Sequence, residues 1–288
     1  MAVVLITGCS SGFGLETALA FSRRGDKTFA SMRDLKKAHR LHRRAEDEGL
    51  DIEVLELDVT VDASVTTAMN AIRSKCHDID VLVNNAGVGF TGPVETIDIG
   101  RARMIMETNL WGAVRMIRAV APLMRRQRHG VIINVSSMSA RVPGNPYDGF
   151  YGASKHALGA LSESLAWELS PFGIRVVCIE PGFFSTDIFA NSDMDQVDQS
   201  SPYAADNAWI NNFQLRSVEK GGGDPADVAA AITKAVDDLT TPLHNLVGDD
   251  AWMYVEMAER AGTFENLVPI LTQLFESVSG PRSAGGRR

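Results

Sequence analysis

Cysteine is scarce in this 288-residue chain: Cys9, Cys76 and Cys178 stand alone, odd in number and far apart. That excludes a disulfide framework and suits a reducing compartment, so a cytoplasmic home is expected. No run approaches the roughly 20 apolar residues that a membrane helix needs, and no membrane span is expected. The opening Met-Ala-Val-Val-Leu-Ile-Thr-Gly lacks a basic leader region, which argues against a secretory signal. Basic residues are outnumbered, 28 Lys and Arg against 36 Asp and Glu, which argues against nucleic acid as a general partner. The six histidines show no metal-ligand spacing, and no metal site is expected; His39 and His42 fall in a basic, helical, solvated stretch.

What is present is an alternation of strand and helix signals. Short apolar runs at Val3–Thr7, Lys27–Met32, Ile52–Leu57, Val81–Val83, Val131–Val135, Arg175–Ile179 and Leu243–Val247 read as buried strands. Helical patterns lie between them at Leu15–Arg24, Leu35–Glu48, Asp62–Lys75, Gly100–Arg126, Tyr151–Leu169 and Pro225–Asp238, with a last one at Glu265–Val278. This predicts an α/β fold: one doubly wound parallel sheet of about seven strands with helices on both faces, over residues 1–278. Residues 185–220 read as a polar, loop-like lid with helical snatches, and 279–288 as a frayed tail. In such a sheet a ligand sits beyond the carboxyl ends of the strands.

Three clusters fall at such ends. Thr7-Gly8-Cys9-Ser10-Ser11-Gly12-Phe13-Gly14 follows a strand and opens a helix. Its glycines permit a tight turn and close approach of a pyrophosphate, which the free N–H groups of the helix would bind; Ser10 and Ser11 add hydroxyl donors. A ligand-free structural turn is the plainer alternative. Tyr151 and Lys155 stand four apart and share one helix face. A nearby ammonium favours a phenolate and lowers a tyrosine that otherwise titrates too high for acid–base work; alone, the pair could be a surface coincidence. In Asn134-Val135-Ser136-Ser137, a hydroxyl ends the fifth strand, where it could hold a substrate carbonyl or simply form a turn.

Together and in order, these clusters resemble the short-chain dehydrogenase/reductase family, over residues 1–190 at least. The resemblance implies a Rossmann-like fold and an oxidoreductase that moves a hydride between NADP(H), or NAD(H), and a ketone or aldehyde or the matching alcohol. Residues 8–14 match the cofactor loop, with Gly8, Ser10, Ser11, Gly12, Phe13 and Gly14 as binding positions. Asn84-Asn85-Ala86-Gly87 matches the second signature, bringing Asn85, Ala86 and Gly87 to the cofactor. Asn109, Ser137, Tyr151 and Lys155 match the catalytic four. The resemblance implies that Asn109 fixes a water linking Lys155 to solvent, and that Lys155 also reaches the cofactor ribose with Tyr151 alongside. Asp58 and Val59, ending the third strand, fall at the adenine edge, with a loop cap as the other reading of Asp58. Pro181, Gly182 and Thr186 fall where the family contacts the nicotinamide carboxamide. One departure is a segment between Ser137 and Tyr151 that is a residue longer than in many members; it makes Ser139 a rival for the hydroxyl role, with Ser137 preferred because it directly follows the strand.

Within the family, Cys-Ser-Ser-Gly-Phe-Gly and Ala-Ser-Met-Arg-Asp-Leu-Lys resemble the branch of 17β-hydroxysteroid and retinol dehydrogenases and related bacterial enzymes. At the end of the second strand, Met32 takes the position of the acid that would select NAD, and Arg33 follows it, so NADP(H) is the expected cofactor. Asp34 is read as a helix cap beyond the strand rather than as that acid. Phe184, Phe189, Tyr203, Trp209 and Phe213 suggest either an apolar, bulky ligand under the lid or a lid that packs on the core. A homodimer or homotetramer follows from the resemblance alone. A non-catalytic dinucleotide sensor, and an isomerase or dehydratase holding the cofactor tightly, are the rival functions on this fold.

Overall fold

The computed structural model describes residues 1–142, 145–186 and 200–282. Seven strands, β1 (Val3–Ile6), β2 (Lys27–Met32), β3 (Ile52–Glu56), β4 (Val81–Asn84), β5 (Gly130–Val135), β6 (Ile174–Pro181) and β7 (His244–Val247), form one sheet in the order β3-β2-β1-β4-β5-β6-β7. Every neighbouring pair is parallel. Parallel strands need crossovers, and helices supply them. They are α1 (Gly12–Arg23), α2 (His39–Glu48), α3 (Asp62–Arg73), α4 (Ile99–Met106), α5 (Gly112–Gln127), α6 (Gly149–Leu169), α7 (Ala204–Gly221), α8 (Pro225–Asp237), α9 (Asp249–Ala261) and α10 (Phe264–Ser279).

The alternation of side chains along a strand divides the core into two layers. Val4 and Ile6 of β1 face Leu15, Leu19 and Phe21 of α1 and Val228 and Ile232 of α8. Leu5, between them, faces the opposite layer, where Met69 and Ile72 of α3 and Met116 and Met124 of α5 close over it. Both faces of the sheet are therefore dry, which is why its central strands read as continuous apolar runs. The strand order reverses direction between β1 and β4, and a crevice opens there at the carboxyl ends.

The sequence-based elements and the observed ones differ at several places. The helix expected across 100–126 is α4 and α5 joined by a π-helical turn at Glu107–Trp111, a widening that a 3.6-residue pattern does not register. Much of the expected lid loop is α7, one continuous helix of 18 residues. Its polar sequence hides a buried face of Trp209, Ile210 and Phe213 that packs on Leu271 and Phe275 of α10. The helix α9 was not expected at all; Gly248 (φ 101°) turns the chain into it, and Ala251, Tyr254 and Val255 bury its inner face. The remainder of the lid, including Phe189, lies outside the described residues. The expected tail is partly anchored: Trp209 Nε1 donates to the Gly280 carbonyl at 2.8 Å, and Arg282 Nε to Asp206 at 2.6 Å. Among the described residues no helix is long and apolar enough to cross a membrane.

Candidate active site

The glycine-rich loop is tied to the neighbouring strand end. Thr7 Oγ1 accepts from the backbone N–H groups of Asn85 and Ala86, both at 3.0 Å. Asn85 Nδ2 donates back to the carbonyls of Thr7 (2.8 Å) and Gly8 (3.0 Å). Gly8 (φ 74°) and Gly12 (φ 55°) take left-handed conformations. A Cβ at Gly8 would meet Ala86 Cα at 2.8 Å, and one at Gly14 would overlap the Gly8 carbonyl oxygen and lie 2.5 Å from Asn85 Nδ2. The loop thus folds onto itself and onto residues 85–86, and its shape needs glycine. Ser11 is the N-cap of α1, yet its side chain caps no backbone N–H, and no acidic residue stands in the first turn. The positive end of α1 is left for an outside anion.

Arg33 is exposed just past the end of β2, and among the described residues no hydrogen bond or ion pair engages it. Asp34 caps the short 3-10 turn Leu35–Ala38, its Oδ1 accepting from Lys36 N at 3.0 Å, as its position suggested. Asp58 has one oxygen occupied in a local turn: Oδ1 accepts from Thr60 N (2.9 Å) and Thr60 Oγ1 (2.7 Å). The loop-cap reading of Asp58 therefore describes half of its carboxylate. Val59 is buried, and a Cβ at Gly112 would meet its methyl at 2.6 Å.

Asn109 sits in the π turn, 2 % exposed. Its Oδ1 accepts from Val88 N (2.8 Å), and Nδ2 donates to Val88 O (3.0 Å) and Ser154 Oγ (3.0 Å). The side-chain amide is thus engaged by protein groups and clamps the segment after Gly87. These bonds fix the backbone beside Lys155.

Ser137 ends β5, extended at φ −168°, and its hydroxyl accepts from Ser139 N at 3.1 Å. The two candidate hydroxyls have separate partners. The Ser137 hydroxyl acts on the Tyr151 phenol, favouring its ionised form, whereas Ser139 Oγ donates to Asp148 Oδ2 at 3.4 Å. Both strand ends are held by a buried relay in which Asn84 Nδ2 donates to Asn134 Oδ1 and Asn134 Nδ2 to Ser162 Oγ, each at 2.8 Å.

Tyr151 and Lys155 lie on the first turns of α6, with Lys155 Nζ 5.6 Å from the centre of the Tyr151 ring. Lys155 is buried, and Nζ donates to the Val135 carbonyl at 3.0 Å. Burial brings its pKa down to about 8. The expected depression of Tyr151 by Lys155 is absent from this state. Burial raises the Tyr151 phenol, the Asp148 carboxylate raises it further, and only the Ser137 hydroxyl opposes them. Spacing placed the ammonium near the ring, but desolvation outweighs a charge that is itself held against a carbonyl.

Ser137 and Tyr151 open onto an apolar cavity walled by Phe13, Phe90, Phe183, Phe184, Phe213 and Phe275. Thr186 and Pro181-Gly182 line its cofactor-loop side, where a Cβ at Gly12 would lie 3.3 Å from Thr186. Phe13 meets Phe184 edge-on at 5.4 Å, so this loop residue contributes to the cavity wall. Phe184 and Phe213 line the cavity, Trp209 packs on Phe275, and Tyr203 bonds to Glu95. Two carboxyls escaped sequence reasoning. Asp250, at the start of α9, accepts from Phe183 N at 2.5 Å and so fixes the loop after β6; Asp148, three residues before Tyr151, lines the cavity.

Residues 2–197 match the short chain dehydrogenase family. The chain is 37% identical to a 3-ketodihydrosphingosine reductase of Bacteroides thetaiotaomicron, over 85% of this chain and 87% of that protein. It is 37% identical to human retinol dehydrogenase 8, over 83% of this chain and 79% of that one. A short-chain dehydrogenase from Streptomyces avermitilis superposes with a TM-score of 0.79 at 32% identity, over 97% and 98% of the two chains. A gluconate 5-dehydrogenase from Burkholderia cenocepacia, solved with NADP and tartrate, superposes with a TM-score of 0.71 at 26% identity, over 88% and 95%. This chain belongs to the short-chain dehydrogenase/reductase family of oxidoreductases, and it resembles retinol dehydrogenases within it.

Proposed function

We propose that this protein transfers hydride between NADP(H) and the carbonyl carbon of a hydrophobic ketone or aldehyde, or runs the reverse oxidation of the alcohol. The observation that carries the reading is the pairing of Ser137 and Tyr151 at one wall of an apolar cavity, with the Lys155 ammonium 5.6 Å from the Tyr151 ring centre. The relatives' names, a sphingoid-ketone reductase and a retinol dehydrogenase, support a long apolar substrate.

The chain suits a dinucleotide. The close-packed glycines at 8 and 14 and the uncapped start of α1 fit a pyrophosphate. Arg33 would take the ribose 2′-phosphate that separates NADP from NAD, and no acid stands in the competing position, since Asp34 faces its own helix turn. Asp58 and Val59 would flank the adenine, Asn85 to Gly87 the middle of the dinucleotide, and Pro181, Gly182 and Thr186 the nicotinamide end. The nicotinamide supplies the hydride when bound.

The chain's own residues then manage the oxygen. Ser137 holds the carbonyl oxygen by a hydrogen bond. Tyr151, whose phenol is kept protonated by its surroundings, gives its proton to that oxygen as negative charge develops there. The phenolate left behind faces Lys155, whose ammonium gains a counter-charge at that moment. Asn109 holds the Val88 segment that borders Lys155 and thereby positions it. The test is a panel of medium- and long-chain ketones, aldehydes and alcohols with both cofactors. Cofactor turnover matched by product supports the reading. Tight cofactor binding with no turnover of any substrate would instead indicate a dinucleotide sensor.

A further inference from the structure

Among the described residues that line the cavity, only Asp148 and Tyr151 titrate, and none is Lys, Arg or His. Asp148 is 9 % exposed. It occupies the N-cap position of α6, but its side chain caps no backbone N–H, so the helix does not explain it. Its carboxyl meets two neutral donors, the Ser139 hydroxyl at 3.4 Å and the Asn145 side chain. No ion pair to it exists among the described residues. The nearest buried cation of the site, Lys155, donates to Val135 O instead.

A carboxylate buried at the wall of an apolar cavity without a cation is costly, and a protein relieves that cost by protonation or by a partner. Here burial pushes the Asp148 carboxyl up to about 8, so the free protein holds it largely neutral near pH 7. The wall facing it supplies no cation, and the cavity leads to the reacting hydroxyls. The missing charge can then come from the ligand.

We propose that Asp148 recognises a protonated amine on the substrate, so that the cavity selects amino-substituted ketones or alcohols over plain alkyl ones. The inference rests on the cavity being the substrate site. An ammonium entering beside Asp148 draws the carboxyl proton off to solvent and leaves an ammonium–carboxylate pair, with Ser139 and Asn145 donating to the remaining lone pairs. The apolar walls hold the chain of the molecule and exclude water from the pair, which strengthens it.

The experiment uses the full chain with NADP⁺ present and compares n-decylamine, n-decanol and n-decane derivatives of matched length by calorimetry near pH 7, in two buffers of different ionisation enthalpy. Decylamine is expected to bind about 10- to 100-fold more tightly than decanol, the worth of a charge-assisted hydrogen bond, and to release protons that decanol does not. In Asp148→Asn the amine-to-alcohol ratio and the proton release should collapse. Decylamine binding no tighter than decanol in the wild type, absence of binding by both included, overturns the proposal, as does a preference that survives in Asp148→Asn. The wild-type comparison stands even if the variant misfolds. In parallel, turnover is measured for two medium-chain ketones that differ only by an amine one or two carbons from the carbonyl. Failure of every carbonyl to react while the amine preference holds would defeat the hydride-transfer reading and leave Asp148 as an amine site.

Discussion

Replacing Gly14 by alanine adds a single methyl group to the place where the loop is tightest. The new Cβ would overlap the Gly8 carbonyl oxygen and stand 2.5 Å from Asn85 Nδ2. Neither neighbour is the free end of a flexible side chain: one is backbone, and the other donates to Thr7 O at 2.8 Å and Gly8 O at 3.0 Å. Overpacking of this kind costs about 1–3 kcal/mol, and loss of the two Asn85 bonds adds about 1 kcal/mol each. A total of about 3–5 kcal/mol lowers Tm by roughly 5–8 °C for a chain of this size. Because the loop must move away from the start of α1, cofactor affinity should fall with it. Gly25 provides the control. It is left-handed too (φ 79°), but a Cβ there has nothing within 4 Å, so Gly25→Ala carries only the conformational penalty of roughly 1–2 kcal/mol. Thermal melts and fluorescence titration with NADPH read both quantities. Gly14→Ala with unchanged Tm and unchanged NADPH affinity refutes the close-packed cradle, and an equal affinity loss in Gly25→Ala refutes its location.

Ser137→Ala should reduce kcat at least tenfold more than Ser139→Ala, since Ser137 acts on the Tyr151 phenol whereas Ser139 is engaged by Asp148; steady-state kinetics showing the reverse order transfers the role to Ser139. Arg33→Ala should lower the NADPH-to-NADH ratio of kcat/KM by about 10- to 100-fold, and an unchanged ratio means that Arg33 does not read the phosphate. Asp148 is raised to about 8 in the fold, against about 4 in an unfolded chain. Between those values the folded state binds more protons, so wild-type stability declines as pH rises through that window. Asp148→Asn removes this slope, and its stability relative to wild type should climb between about pH 5 and 8 by up to about 1.4 kcal/mol per pH unit; a flat difference in denaturant titrations rules out the buried, proton-holding carboxyl.

Much of the sheet could be read from the sequence because its strands are buried on both faces. Lys27–Met32 has the same limits in sequence and structure, since Gly25 ends the helix before it and Asp34 caps the turn after it. The Tyr151–Lys155 pair was legible because four residues of spacing fix a shared helix face. The sign of the Tyr151 shift was not, because spacing says nothing of burial or of the carbonyl that engages Lys155. Asn109 was visible as a position, but its partners Val88 and Ser154 come from the tertiary fold. Nothing in the sequence sets Asp250 and Asp148 apart from other acidic residues. Only the return of α9 to the loop after β6 gives Asp250 its bond to Phe183, and only the cavity shows that Asp148 faces inward. Polar residues in α7 disguised a helix whose apolar stripe is narrow and whose partner, α10, lies some sixty residues downstream.

The central claim is that Tyr151 delivers the proton to the substrate oxygen. Single-turnover oxidation of NADPH by a hydrophobic ketone, compared between wild type and Tyr151→Phe with NADPH affinity measured alongside, tests it most directly. The variant loses one phenolic oxygen from a ring that otherwise stays packed. The account predicts a rate lower by about 100- to 10,000-fold with NADPH affinity within about threefold of wild type, the bound taken from the ordinary context dependence of a single contact. A variant that reduces the ketone at close to the wild-type rate would contradict it.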